Sequence, residues 1–220
     1  MVLSPKGTLE PLQLQILDAF RGVGGAYLTC GAALGHFYLG HRRTLDLDMF
    51  TDNLELLDTL ADKLASWCID QGLQLSQNRS FRTYRRYVVV GEADQAIVDL
   101  VHDPVPQTIA IERKPLYEGL RIDSIEDIAA NKLSALLGRC ETKDLVDVFF
   151  LAKAGREPLG HLQAARQRDG GLDPATLAYV VHQMPIEISE LLLVKKLAKE
   201  ELEIFRNRLV EQLETMAFPD

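Results

Sequence analysis

Cysteine is scarce: Cys30, Cys68 and Cys140 are the only three in 220 residues, and no two form a CxxC pair. So sparse and odd a set argues against a disulfide framework or a zinc site, and a reducing cytoplasm is the expected location. The five histidines, His36, His41, His102, His161 and His182, show no metal-ligand spacing. Apolar runs are only a few residues long, so no segment is expected to span a membrane. The stretch from Met1 to Leu14 lacks the apolar centre of a secretory signal. Basic residues are outnumbered 24 to 32, for a formal net charge of -8. That excludes a chain coated with positive charge for gripping long duplexes, but not a local basic groove. What is present, 47% hydrophobic and 25% charged residues, is ordinary for a globular chain of one large or two small domains.

The first half reads as alternating helix and strand. Apolar residues at Leu12, Leu14, Ile16, Leu17 and Phe20 predict a short helix, and Ala26 to Cys30 a buried strand. Ala32 to Leu39 reads as a helix closed by Gly40. From Thr44 to Phe50 the chain alternates, with Leu45, Leu47 and Met49 on one side and Asp46 and Asp48 on the other. Asp52 and Glu55 resemble a capping box for a helix from Asn53 to Asp70. Phe81 to Val90 and Ala96 to Val101 read as strands joined by a turn at Gly91 to Asp94. From Ser124 the texture turns helical, with helices expected at 125–137, 142–154, 159–168, 174–182 and 188–216. The expected domains are therefore 1–122, α/β, and 123–220, helical.

Asp46 and Asp48, i and i+2 on a strand, emerge on one face about 6–7 Å apart along the chain. Two carboxylates so placed suit joint coordination of a hard cation such as Mg²⁺, and also suit an exposed strand edge. Asp99 interrupts the apolar run from Ala96 to Val101, where a carboxylate is costly unless paired, metal-bound or on an exposed edge. Lys132 falls within the apolar stripe of Ile125, Ile128, Ala129, Leu133 and Leu136, so it either snorkels outward or meets a phosphate. Asp144 and Asp147 share a face of the next helix near its N-terminus. Arg79 to Tyr87 is the one basic stretch interleaved with aromatics. Its Arg82, Tyr84, Arg85 and Arg86 suit either an acceptor-binding surface for single-stranded nucleic acid or an arginine-rich exposed strand face.

Two stretches together resemble the nucleotidyltransferase family of the AbiEii/AbiGii toxin type. One is Leu28-Thr29-Cys30-Gly31-Ala32-Ala33-Leu34 followed by Gly40 to Thr51; the other is Ser124 to Leu133 followed by Lys143-Asp144-Leu145-Val146-Asp147. The resemblance implies an α+β fold: a polymerase-β-like nucleotidyltransferase core, a mixed sheet flanked by helices, with a C-terminal helical domain. It implies transfer of a nucleoside monophosphate from an NTP substrate to a hydroxyl acceptor, with Mg²⁺ or Mn²⁺ as cofactor. An RNA such as a tRNA is the implied acceptor, and a cognate antitoxin the implied partner. By the same resemblance Asp46, Asp48 and Asp99 bind metal, with Asp99 as base for the acceptor hydroxyl. Lys132 meets the triphosphate, and Asp144 is the acid of the KDxxD motif. Gly31 and Ala32 fall where the nucleotide phosphates are held, while Arg42 and Arg43, just ahead of the strand with Asp46 and Asp48, either reach those phosphates or pair with surface acids.

One position departs from the pattern. Ala32 stands where the family usually has serine or threonine, so a side-chain donor to phosphate is missing while helix-terminal amides remain. Ala32 favours one alternative, a weakly active NTP-binding or partner-binding module of the same fold, and the acidic charge balance suits another, a small-molecule nucleotidyltransferase.

Overall fold

The structure, a computed structural model that describes residues 3–219, builds its first unit around a five-stranded mixed sheet. Met1, Val2 and Asp220 lie outside the described residues, so the Met1–Leu14 segment is followed only from Leu3. The strands are β1 (Ala26–Thr29), β2 (Asp46–Thr51), β3 (Gln74–Phe81), β4 (Tyr84–Val90) and β5 (Gln95–His102), in the spatial order β1-β2-β5-β4-β3. β2 runs parallel to β5, and the other neighbours are antiparallel. A parallel pair cannot be closed by a tight turn. Here the crossover contains α3 (Leu56–Asp70) and the β3–β4 hairpin.

Alternation decides which face of the sheet is dry. Leu47 and Met49 of β2, Val98 and Leu100 of β5 and Val89 of β4 are buried, and α3 packs against β5. The α3 face supplies Leu57, Leu60 and Leu64, all fully buried. Each such side chain contributes about 1.5–3 kcal/mol relative to exposure. The helix begins later than the sequence predicts. Glu55 is its N-cap without a side-chain bond, while Asn53 Oδ1 accepts from the Glu55 amide at 3.0 Å, so the Asp52–Glu55 box does not form.

Ahead of the sheet, α1 (Pro11–Ile16) passes into a 3-10 turn at Leu17–Phe20. The expected helix over Ala32 to Leu39 is α2 (Cys30–Ala33) continued by a π-helical turn, Leu34–Leu39, which Gly40 closes in the left-handed region at φ 60°. The expected single strand from Phe81 is instead the end of β3 and all of β4, divided by a turn at Arg82 and Thr83. β3 escaped the sequence reading because it is an exposed edge with almost no apolar residue to set a period. A short hairpin of β6 (Leu116–Tyr117) and β7 (Leu120–Arg121) also goes beyond that reading.

The first compact unit ends at Ser124 and the second begins at Ile125. The second is all helical: α4 (Ile125–Gly138), α5 (Thr142–Lys153), α6 (Leu162–Arg168), α7 (Pro174–Gln183) and α8 (Lys199–Ala217). α4 packs against α5, α6 and α7, and α8 against α5 and α7. Asp173 caps α7, its carboxylate accepting from the Thr176 amide at 3.0 Å. The helix expected from 188 starts only at Lys199. The run Leu191 to Val194 is continuous rather than periodic, and the Leu193 amide turns back to the Leu191 carbonyl at 2.8 Å. Among the described residues no helix is long and apolar enough to cross a membrane.

Candidate active site

The sheet face opposite α3 carries the acids. Asp46 and Asp48 are half-buried on that face of β2. The parallel register sets Asp48 directly beside Asp99 of β5, which is 4% exposed. One carboxylate oxygen from each of Asp46, Asp48 and Asp99 lies within 4.8 Å of the other two. The structure thus brings together the three acids that sequence reading grouped. Three oxygen donors converging on one point suit a hard divalent cation, which prefers carboxylate ligands and keeps several waters.

Neighbours fix these oxygens. Thr44 Oγ1 donates to Asp46 Oδ1 at 2.6 Å. Arg86, the cross-strand partner of Asp99 on β4, donates from Nε to Oδ1 at 2.8 Å and from Nη2 to Oδ2 at 2.6 Å. Tyr84 Oη adds a bond to Oδ1 at 2.9 Å. The Asp99 bonds push the Arg86 guanidinium further above its already high range, so it stays charged. Burial first, and the Asp99 bond next, push the Tyr84 phenol upward, so it stays a neutral donor.

The β1–α2 turn lies beside the acids, with Thr29 in register with Asp48. Cys30 takes a left-handed backbone, φ 56°, which a non-glycine residue seldom adopts. A Cβ on Gly31 would come 2.9 Å from Arg42 Nη2 and 3.2 Å from Thr44 Oγ1, so the Arg42 guanidinium rests on bare backbone there. Ala32 is fully buried. Gly31, Ala32 and Arg42 are therefore gathered at this turn, whereas Arg43 turns outward to Glu10 at 2.6 Å. Sequence reading missed the polar group beneath the turn. Thr29 Oγ1 donates to Asp123 Oδ2, and Asp123 Oδ1 accepts from Lys114 Nζ at 2.6 Å, with the Lys114 and Asp123 side chains fully buried. The Lys114 ammonium also stands 4.6 Å over the Tyr27 ring. No local pattern flags this pair, because each partner lies in an irregular segment.

The basic stretch is divided by the pleat. Tyr84 and Arg86 face the acids, Arg85 reaches the other side to Asp58 of α3, and Arg82 sits in the β3–β4 turn. The four do not form one continuous basic face. Phe81, 64% exposed, stacks with Tyr84 at 6.4 Å between ring centroids.

In the helical unit Lys132 and Asp144 meet directly. Lys132 Nζ donates to Asp144 Oδ1 at 2.9 Å and lies 2.6 Å from Asp147 Oδ2. The lysine is 2% exposed, so it neither snorkels outward nor presents a solvent-facing ammonium. Arg139 forks onto Asp144 at 2.7 and 2.8 Å. Burial alone would raise the Asp144 carboxyl, but Lys132 and Arg139 outweigh it and hold it below the usual carboxylate range.

The profile of the family described as "Nucleotidyl transferase AbiEii toxin, Type IV TA system" matches residues 27–220. Against curated protein sequences the chain has no match. Among solved structures it is similar to JHP933 from Helicobacter pylori at 22% identity and TM-score 0.60, covering 94% of this chain and 92% of that one. It is also similar to MenT4, a nucleotidyltransferase toxin from Mycobacterium tuberculosis. There the identity is 16% and the TM-score 0.64, covering 92% of this chain and 82% of that one. At such identities these likenesses speak for the fold, a mixed sheet flanked by helices.

Proposed function

The chain belongs to the AbiEii nucleotidyl transferase toxin family, and from that premise we propose that Asp46, Asp48 and Asp99 form a divalent-cation centre that transfers a nucleoside monophosphate from an NTP to an RNA hydroxyl, such as that of a tRNA. The observation that supports it is the convergence of three carboxylate oxygens within 4.8 Å on one sheet face. A bound Mg²⁺ or Mn²⁺ would supply positive charge against the phosphate oxygens and lower the acceptor hydroxyl's pKa.

The chain's own residues do the positioning. Arg42, held at Gly31, and the amides of the β1–α2 turn meet the outer phosphates. Thr44 keeps Asp46 aimed into the cluster. Asp99 takes up the proton of the acceptor hydroxyl as its oxygen attacks the α-phosphorus. The bond to the β-phosphate bridging oxygen breaks, and pyrophosphate leaves with the electron pair. Lys132 enters this reading with its charge already balanced by Asp144 and Asp147. A contact with phosphate therefore requires it to share that charge with the two acids. The partner expected for a toxin of this family is a cognate antitoxin, and Phe81 with Arg82 at the hairpin tip is the surface offered to the acceptor.

The test is incubation with each α-labelled NTP, Mg²⁺ and total tRNA. Label in RNA with one NTP, lost in Asp48→Asn, is the expected result. Binding of NTP with no labelled acceptor favours the nucleotide-binding module, the reading that Ala32, buried and without a hydroxyl, supports. Label on a small hydroxyl compound alone overturns the RNA acceptor and keeps the transferase.

A further inference from the structure

Among the described residues on the acid face, Arg86 holds Asp99 by both oxygens. Its Nε and Nη2 form a fork at 2.8 and 2.6 Å, with Tyr84 as a third donor. A planar fork of this kind is the strongest ordinary partner of a carboxylate. Asp99 is almost fully buried, while the Arg86 side chain is 31% exposed. The carboxylate is therefore enclosed, whereas the arginine side chain is partly open to solvent. Any cation ligated by Asp46, Asp48 and Asp99, whose oxygens lie within 4.8 Å of one another, would sit a few ångströms from that permanent positive charge.

We propose that Arg86 is a built-in competitor for the divalent cation: it occupies Asp99 in the metal-free protein and must give up at least one Asp99 oxygen when the cation binds. The inference rests on the metal-site reading above. Its consequence is a raised threshold. The bare protein holds the cation weakly, and tight binding waits for the negative charge of the triphosphate, which offsets both cation and guanidinium. The repulsion among the three carboxylates is meanwhile lessened but not removed, because Arg86 offsets the charge of Asp99.

The experiment measures Mn²⁺ binding, without nucleotide, by calorimetry for the wild-type chain, Arg86→Gln, Arg86→Lys and Asp48→Asn. Arg86→Gln should bind Mn²⁺ about tenfold more tightly or better, the scale set by removing a unit charge close to a divalent ion. It should also melt at a lower temperature without metal and recover with it. Arg86→Lys, which keeps the charge and loses the fork, should fall between. In the wild-type chain the Arg86 Nε–H resonance should shift on titration with Mg²⁺, with the midpoint at which the ion binds; this readout needs no variant to fold. Mn²⁺ affinity lost in Asp48→Asn but unchanged or weaker in Arg86→Gln overturns the competitor and leaves the metal site standing. Mn²⁺ binding that Asp48→Asn does not alter overturns the metal site, and the competitor with it.

Discussion

Asp48 and Asp99 are direct neighbours across the parallel pairing of β2 with β5, although α3 and a whole hairpin separate them along the chain. Their carboxylates share one small volume with that of Asp46. Such crowding lowers stability in the absence of a cation and is the expected signature of a functional rather than a packing role.

The first prediction follows from that crowding. Asp48→Asn should reduce transfer by about 10²-fold or more, while its metal-free melting temperature equals or exceeds that of the wild type. Thermal melts in EDTA beside the labelling assay check both halves. A clear drop in melting temperature would mark Asp48 as structural.

Gly31 predicts a coupled effect. In Gly31→Ala the new methyl meets the Arg42 guanidinium at 2.9 Å and the Thr44 hydroxyl at 3.2 Å, and Thr44 orients Asp46. The expected cost is about 1–3 kcal/mol in stability, as for other overpacked sites, together with a higher KM for NTP. Unchanged kinetics would separate Arg42 from the phosphates.

Lys132 and Asp144 predict a pH dependence. Lys132→Met leaves two buried carboxylates facing each other and should cost about 3–5 kcal/mol. The Asp144 carboxyl lies below its ordinary 3.8 in the folded chain. Its contribution is therefore fully present above pH 3.8 and lost as the pH falls further, through the folded value. Asp144→Asn should be the less stable protein at pH 7, and its gap from the wild type should close below pH 3.8. Denaturant titrations at several pH values check this; a gap independent of pH would remove the charge from the account.

Cys30 predicts opposite signs for two substitutions. Its φ of 56° suits glycine and opposes branching at Cβ. Cys30→Val should cost about 1–2 kcal/mol, whereas Cys30→Gly should be neutral or stabilising. Chemical denaturation of both variants decides it.

The site was only partly legible in the sequence. Asp46 and Asp48 stood out because alternation along β2 is local, and Asp99 because it broke an apolar run. Arg86 was visible as a basic residue, but its partner was not, since a cross-strand register is set by the turn and by packing rather than by neighbours in the chain. Lys132 was singled out within its stripe, but the buried acids around it come from the next helix and from folding. The Lys114–Asp123 pair left no trace at all, because burial of an ion pair is decided by what covers it. β3 was lost for the converse reason, an edge so exposed that no hydrophobic period records it.

The parallel β2–β5 pairing also sets when the three acids can come together during folding. Hairpins such as β3–β4 close quickly, whereas bringing β5 beside β2 closes the longest loop in the sheet and comes at a greater entropic cost. Before that closure Asp99 is remote from Asp46 and Asp48, and no partly folded or still-growing chain lacking β5 has the three together. On the metal-site proposal above, the chain is expected to gain transferase activity only after this longest strand-to-strand connection has closed.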